Sequence, residues 1–275
     1  MGVIFMNKKI GFIGAGNMGS AMIGGIINSK IISSQDIFVY DKNLSAAQTL
    51  KNLHNITVCE NIKSITDADI IFLAVKPNVI YAVIEEIKDS LNSDTVVVSI
   101  AAGQSIEKIT EAFNLQKIKL IRVMPNTPAL VGEAMCAVSL NDEMQKKENE
   151  QTVNDIILIL KSFGKAEIIP EKLMDAVTGV SGSSPAYIFM LIEAMADAAV
   201  LGGMPRSQAY TFAAQSVLGS AKMVLETGKH PGELKDMVCS PAGTTIEAVK
   251  ILEENNFRGT VIDAIDACIQ KSKNL

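Results

Sequence analysis

Apolar positions along this chain follow two rhythms. Up to about residue 163, short runs that are apolar throughout alternate with stretches whose apolar residues recur at helical spacing. The strand-like runs are 10–13, 37–40, 70–75, 95–100 and 120–124, with a weaker one at 134–140. Residues 20–28 carry small and apolar side chains at helical spacing. Strands apolar on both faces belong to a sheet covered on both sides, and strict alternation with helices makes that sheet parallel. The expected fold class is α/β, a doubly wound parallel sheet.

Beyond residue 163 the strand-like runs stop. Segments rich in Ala, Met and Leu follow at 183–201, 207–225, 232–238, 244–254 and 258–271. Pro205 with Ser207 marks a helix start, and Gly228 followed by Pro231 marks a helix end. Two domains are expected, 1–165 and an all-helical 166–275, joined near 164–171. Segments 185–201 and 209–225 are apolar almost all round, so most of their surface must be buried. A helical domain of roughly 110 residues can hardly bury both internally. Self-association as a homodimer or larger oligomer is therefore expected, with packing on the first half as the alternative.

Composition narrows the partners. A hydrophobic fraction of 48% with 20% charged residues is ordinary for a globular protein. A net charge of −5 without a basic stripe argues against nucleic acid. The most apolar stretch, 185–201, carries Glu193 and Asp197 on one helical face, which is costly in lipid. The first strand-like run passes straight into glycines, with no secretory leader, and Met1-Gly2 lacks the Ser or Thr at position 6 that an acylation signal needs. A cytoplasmic protein without a membrane span is expected. Cys59, Cys136, Cys239 and Cys268 are far apart and only two histidines exist. Neither a metal site nor a disulfide framework is expected.

The chemistry begins at Gly14, Gly16 and Gly19, a GxGxxG that follows a strand-like run and opens a helix. That context makes it a dinucleotide-binding Rossmann loop. Gly14 permits the tight turn, Gly16 lets the backbone approach a pyrophosphate, and Gly19 lets helix and strand pack closely. The N–H groups of Asn17 and Met18 would face the phosphates. Asp41 closes the second strand, 22 residues after Gly19. A carboxylate there accepts from the adenine ribose and favours NADH, Lys42 could instead pair with the 2′-phosphate of NADPH, and a turn-forming Asp is the plain alternative. Ligands of such sheets lie beyond the carboxyl ends of the strands, which brings in Ala74, Val75, Lys76, Pro77 and Ala101. Asn126 is a partner for the nicotinamide end, or an ordinary turn residue.

Two small-residue clusters stand in the second half, 181–187 (SGSSPAY) and 240–245 (SPAGTT), the latter just before a helix. Ser, Gly and Thr at a helix start make either an anion cradle or a helix cap. His230, in HPGEL, reads as a helix start.

The sequence resembles the pyrroline-5-carboxylate reductase family. The resemblance rests on GFIGAGNMG at 11–19, LAVKP at 73–77, SIAAG at 99–103, RVMPNTP at 122–128, SGSSPAY at 181–187 and CSPAGTTIEA at 239–248. These run over nearly the whole chain in the family's order. Ala242 departs from it, standing where the family has a second glycine, and costs backbone freedom if φ is positive there.

The resemblance implies reduction of Δ1-pyrroline-5-carboxylate to L-proline by NADPH or NADH, with substrate held at a dimer interface. It further implies that Ser240, Gly243 and Thr244 hold the carboxylate, that Val238 lines the site, and that Thr245 meets the ring nitrogen as the catalytic hydroxyl. A reductase of β-hydroxy acids or other imines would bring a helix-borne lysine, for which 170–190 shows no signature. A non-catalytic relative would not need both the glycine loop and the 240–245 block.

Overall fold

The computed structural model describes residues 6–115 and 117–274; Met1 and Gly2 lie outside them. Contacts divide the described residues into two compact units, one running up to Ser183 and resuming at Cys268, the other of 184–267.

The first unit is built on an eight-stranded sheet in the order β3-β2-β1-β4-β5-β6-β7-β8. Its strands are β1 (Ile10–Ile13), β2 (Ile37–Tyr40), β3 (Thr57–Val58), β4 (Ile70–Leu73), β5 (Val96–Ser99), β6 (Lys119–Met124), β7 (Ala134–Leu140) and β8 (Gly164–Ile168). The helices of this unit are α1 (Asn17–Ser29), α2 (Leu44–His54), α3 (Ile80–Ile87), α4 (Ile106–Phe113), α5 (Glu150–Lys161) and α6 (Met174–Val177). β1 and β4 are buried at every position, and separate apolar clusters fill the two sides of the sheet. Phe12 and Phe72 are register partners on adjacent strands, and their rings stack at 4.7 Å.

The sheet departs from the expected all-parallel form in its last two strands, which run opposite to the other six. β7 runs antiparallel to β6, while β8 pairs parallel to β7. The link from β6 to β7 holds only the 3-10 turn Thr127–Val131. A parallel partner needs a crossover of a dozen or more residues, which that link cannot supply. β3 and β8 lie outside the strand-like runs of the sequence. β3 is two residues long, and β8 is an edge strand that buries only Ala166 among its five residues. Neither shows the apolar run that marks a central strand.

The second unit is helical, with α7 (Ser184–Leu201), α8 (Arg206–Thr227), α9 (Pro231–Val238), α10 (Thr244–Glu254) and α11 (Phe257–Lys273), whose last residues belong to the first unit. α8 ends at Gly228, which takes the left-handed cap with φ 64°. Packing within one chain leaves these helices largely bare: α7 buries Ala196 alone, and α8 buries only Ala209 and Ala213. Phe189 is 63% exposed and Phe212 66%. The helical run Glu171–Leu201 is long and apolar enough to cross a membrane by length and composition.

Candidate active site

The glycine loop joins β1 to α1, and its three glycines meet different constraints. Gly14 has φ 115°, and a Cβ there would stand 2.3 Å from the carbonyl oxygen of Ala74. A Cβ on Gly19 would stand 2.3 Å from the carbonyl oxygen of Gly14. Gly16 is different, because a Cβ there meets no atom within 4 Å. The protein's own packing does not require glycine at 16. The open space lies beside the first turn of α1, where Gly16 is the N-cap without a side-chain cap and no acidic residue follows. First-turn N–H groups such as those of Asn17 and Met18 have no acceptor inside the helix. Open space and unpaired donors together fit a pyrophosphate.

Asp41, half-buried after β2, is tied to this loop. Its Oδ2 accepts from the Ala15 N–H at 2.6 Å, and its Oδ1 accepts from the Asn43 N–H at 2.7 Å. One carboxylate thus fastens the glycine loop and shapes the turn after β2. Lys42 is exposed, with its ammonium 3.9 Å from the Glu86 carboxylate. After β4, the Ala74 N–H donates to the Ile13 carbonyl at 2.8 Å, and Val75, Lys76 and Pro77 continue the turn. Ala101 follows β5 and is buried, its N–H donating to Ser99 Oγ at 3.4 Å. Residues 14–19, 41–42, 74–77 and 101 therefore gather along the carboxyl edge of one sheet.

Asn126 is buried beyond β6, and its amide is engaged by the protein. Oδ1 accepts from the Met135 N–H at 2.9 Å, while Nδ2 donates to the Ser181 carbonyl at 3.1 Å and to Ser181 Oγ at 3.3 Å. It braces the π-helical turn Thr178–Gly182, in which the Ser183 N–H reaches the Thr178 carbonyl. Wide turns of that kind are frequent at functional sites.

One pair lies outside the site residues that the sequence points to. The Arg122 guanidinium, nearly buried on β6, lies 2.8 Å from Glu171 Oε1. A signal did exist: an arginine inside the apolar run Lys119–Met124 demands a buried counter-charge. Cys136 on β7 is a free thiol that burial pushes up to about 12, so it is not a nucleophile at neutral pH.

In the second unit, Val238 ends α9 and the chain turns through Ser240–Gly243. The Gly243 N–H donates to the Ser240 carbonyl at 3.0 Å, and Ala242 has φ 57°. With Pro241 before it, this is a type II turn, whose third residue is normally glycine. A Cβ on Gly243 would stand 2.3 Å from Ser240 Oγ, so that hydroxyl occupies the space above residue 243. α10 then opens with Gly243 as N-cap and no side-chain cap. Its first N–H groups, at Thr244 and Thr245, have no helical acceptor. Val238, Ser240 and Thr244 are exposed and Thr245 is half-buried. Hydroxyls beside unpaired N–H groups make a cradle for a small carboxylate. His230 caps α9, its Nδ1 accepting from the Gly232 N–H at 3.1 Å, which is the structural role its sequence context suggested.

Residues 171–275 match the family model "Pyrroline-5-carboxylate reductase dimerisation", and residues 9–103 match "NADP oxidoreductase coenzyme F420-dependent". The pyrroline-5-carboxylate reductase of Escherichia coli is 53% identical over 271 residues, 98% of this chain and 99% of its own. That of Methanosarcina acetivorans is 44% identical, covering 98% of each chain. A crystal structure of Plasmodium falciparum pyrroline carboxylate reductase with NADP bound superposes with a TM-score of 0.87 at 35% identity, over 98% of both chains. The glycine loop is common to many dehydrogenases, but likeness extending from end to end, with the 240–245 turn inside it, is not: this chain belongs to the pyrroline-5-carboxylate reductase family.

Proposed function

We infer that the chain reduces the C=N bond of Δ1-pyrroline-5-carboxylate to give L-proline, the last step of proline biosynthesis, using NADPH or NADH. The observation that carries this reading is the Ser240–Thr245 turn, an uncapped helix start with hydroxyls and N–H groups free to receive a small carboxylate.

The dinucleotide would be held by Gly14, Gly16, Asn17, Met18 and Gly19 around its phosphates, with Asp41 and Lys42 at the adenine ribose. Ala74, Val75, Lys76, Pro77, Ala101 and the Asn126 turn would flank its nicotinamide half. When bound, it supplies the hydride. Ser240, Gly243 and Thr244 would hold the substrate carboxylate, with Val238 against the ring. A cyclic imine nitrogen is basic enough to carry its proton beforehand, so no buried acid is required. Thr245 Oγ1 would orient that nitrogen or relay a proton to it.

Self-association through the helices of 166–275 would account for the bare apolar faces of α7 and α8, with the dinucleotide held by residues of 1–165. We place the protein in the cytoplasm, without nucleic-acid or membrane partners. The net charge of −5 supports this, as does the exposed Asp197–Arg206 ion pair that joins α7 to the start of α8.

Thr245→Ala should lower kcat/KM by roughly 10- to 1000-fold, as for other lost positioned donors, with dinucleotide affinity unchanged. Thr245→Ser should keep much of the activity. Steady-state kinetics beside thermal melts provide the check. A Thr245→Ala protein that loses about 1 kcal/mol of stability, as for a missing cap, but turns over normally would sink the catalytic assignment.

A further inference from the structure

Between β5 and α4 runs the loop 100–105, which carries Ala101 at the carboxyl edge of the sheet. Beneath it, three polar side chains interrupt the apolar sheet in one register row: Ser99 on β5, Arg122 on β6 and Ser139 on β7. All three are buried. The serines are small, and between them they leave a slot for the long arginine. Each is also used, Ser99 Oγ accepting from the Ala101 N–H and Ser139 Oγ donating to the Ile169 carbonyl at 2.8 Å. Glu171 closes the row. Its Oε1 accepts from Arg122 Nη1 at 2.8 Å and from the Ile106 N–H, in the first turn of α4, at 2.7 Å. Ser105 caps the same helix, accepting from the Lys108 N–H.

We propose that Glu171 and Arg122 are positioning residues for the dinucleotide site, holding the start of α4, and with it loop 100–105, against the ends of β5 and β6. Stability does not call for this arrangement. A buried ion pair can often be replaced by apolar side chains of similar volume at little or no cost. What apolar side chains cannot do is aim a charged acceptor at one helix N–H while anchored to a neighbouring strand. Directional anchoring matters where a bound cofactor must sit within a fraction of an ångström of its reacting geometry, since a misplacement of about 1 Å can cost about 100-fold. This proposal rests on the reductase reading for its catalytic consequence, and on the Rossmann edge alone for its binding consequence.

The test is fluorescence titration with NADH and NADPH, joined to steady-state kinetics and thermal melts. Glu171→Gln keeps shape and one acceptor but removes the charge; its dinucleotide Kd should rise roughly 3- to 10-fold, within the range a small displacement allows. The double variant R122M/E171L should stay folded with a Kd raised about 10-fold or more. R122K, whose ammonium can still pair, should stay within about 2-fold of the parent. The KM for pyrroline-5-carboxylate should hardly move in any of them, a split that a general loss of stability would not produce. If Glu171→Gln binds both dinucleotides as the parent does, the proposal is overturned, and this near-isosteric variant decides the matter should the double variant not fold. A parent that binds dinucleotide yet leaves pyrroline-5-carboxylate unreduced overturns the functional reading and leaves this one standing; a parent that binds neither dinucleotide overturns both.

Discussion

Ala242 shows what one methyl group costs. It holds φ 57° at the third position of a type II turn, a conformation in which Cβ crowds the backbone. Ala242→Gly removes that crowding. Alanine at positive φ destabilises by more than the roughly 0.4–1 kcal/mol of chain entropy that glycine adds to the unfolded state. The variant should therefore be more stable by several tenths of a kcal/mol, visible as a higher urea midpoint with an unchanged slope. An unchanged or lower midpoint would mean that the turn relaxes to suit alanine. The sequence identified this position from a family pattern, and the positive φ supplied the physical reason. It was less able to foresee Asp41 and Asn126. Both are located by strand ends, but their hydrogen bonds to Ala15, Met135 and Ser181 join residues 9 to 55 positions apart, and no local pattern encodes such pairings.

Among elements, the β1–loop–α1 unit separates two meanings of glycine. Gly16→Val should leave the protein folded, since its Cβ meets no protein atom, while dinucleotide binding is abolished because that space is where a pyrophosphate would lie. Gly19→Val should instead unfold or strongly destabilise the domain, because its Cβ would collide with the Gly14 carbonyl. Circular dichroism melts with NADH titration distinguish the two; a Gly16→Val protein that still binds NADH removes the phosphate site from this loop. Strands with uninterrupted apolar runs, such as Ile10–Ile13 and Ile70–Leu73, are legible because burial on both faces leaves no polar position. The direction of β7 was hidden, since its composition is the same whichever way it runs, and only the short link before it fixes the answer. β8 alternates exposed Lys165 and Glu167 with buried Ala166, which is how an edge strand avoids further pairing and also why it escapes an apolar search.

At the scale of the molecule, the apolar surface of α7 and α8 predicts a closed dimer or a larger assembly of dimers. In a two-fold interface every substitution occurs twice. Burying one phenylalanine contributes about 1.5–3 kcal/mol, so Phe189→Asp should weaken a dimer by at least two to four orders of magnitude. Light scattering at micromolar concentration checks this, and an unmoved molar mass would show that Phe189 lies outside the interface. Ser183 and Cys268, the residues flanking the helical unit, are hydrogen-bonded to each other at 3.2 Å, and Ser272 near the end of the chain donates to Asp175. Topologically the helical unit is an insertion, a long excursion whose two stems meet. A ribosome therefore releases the sheet early, with its last helical segment still unsynthesised. The nascent sheet unit must wait through the whole of residues 184–267 before its own final piece arrives.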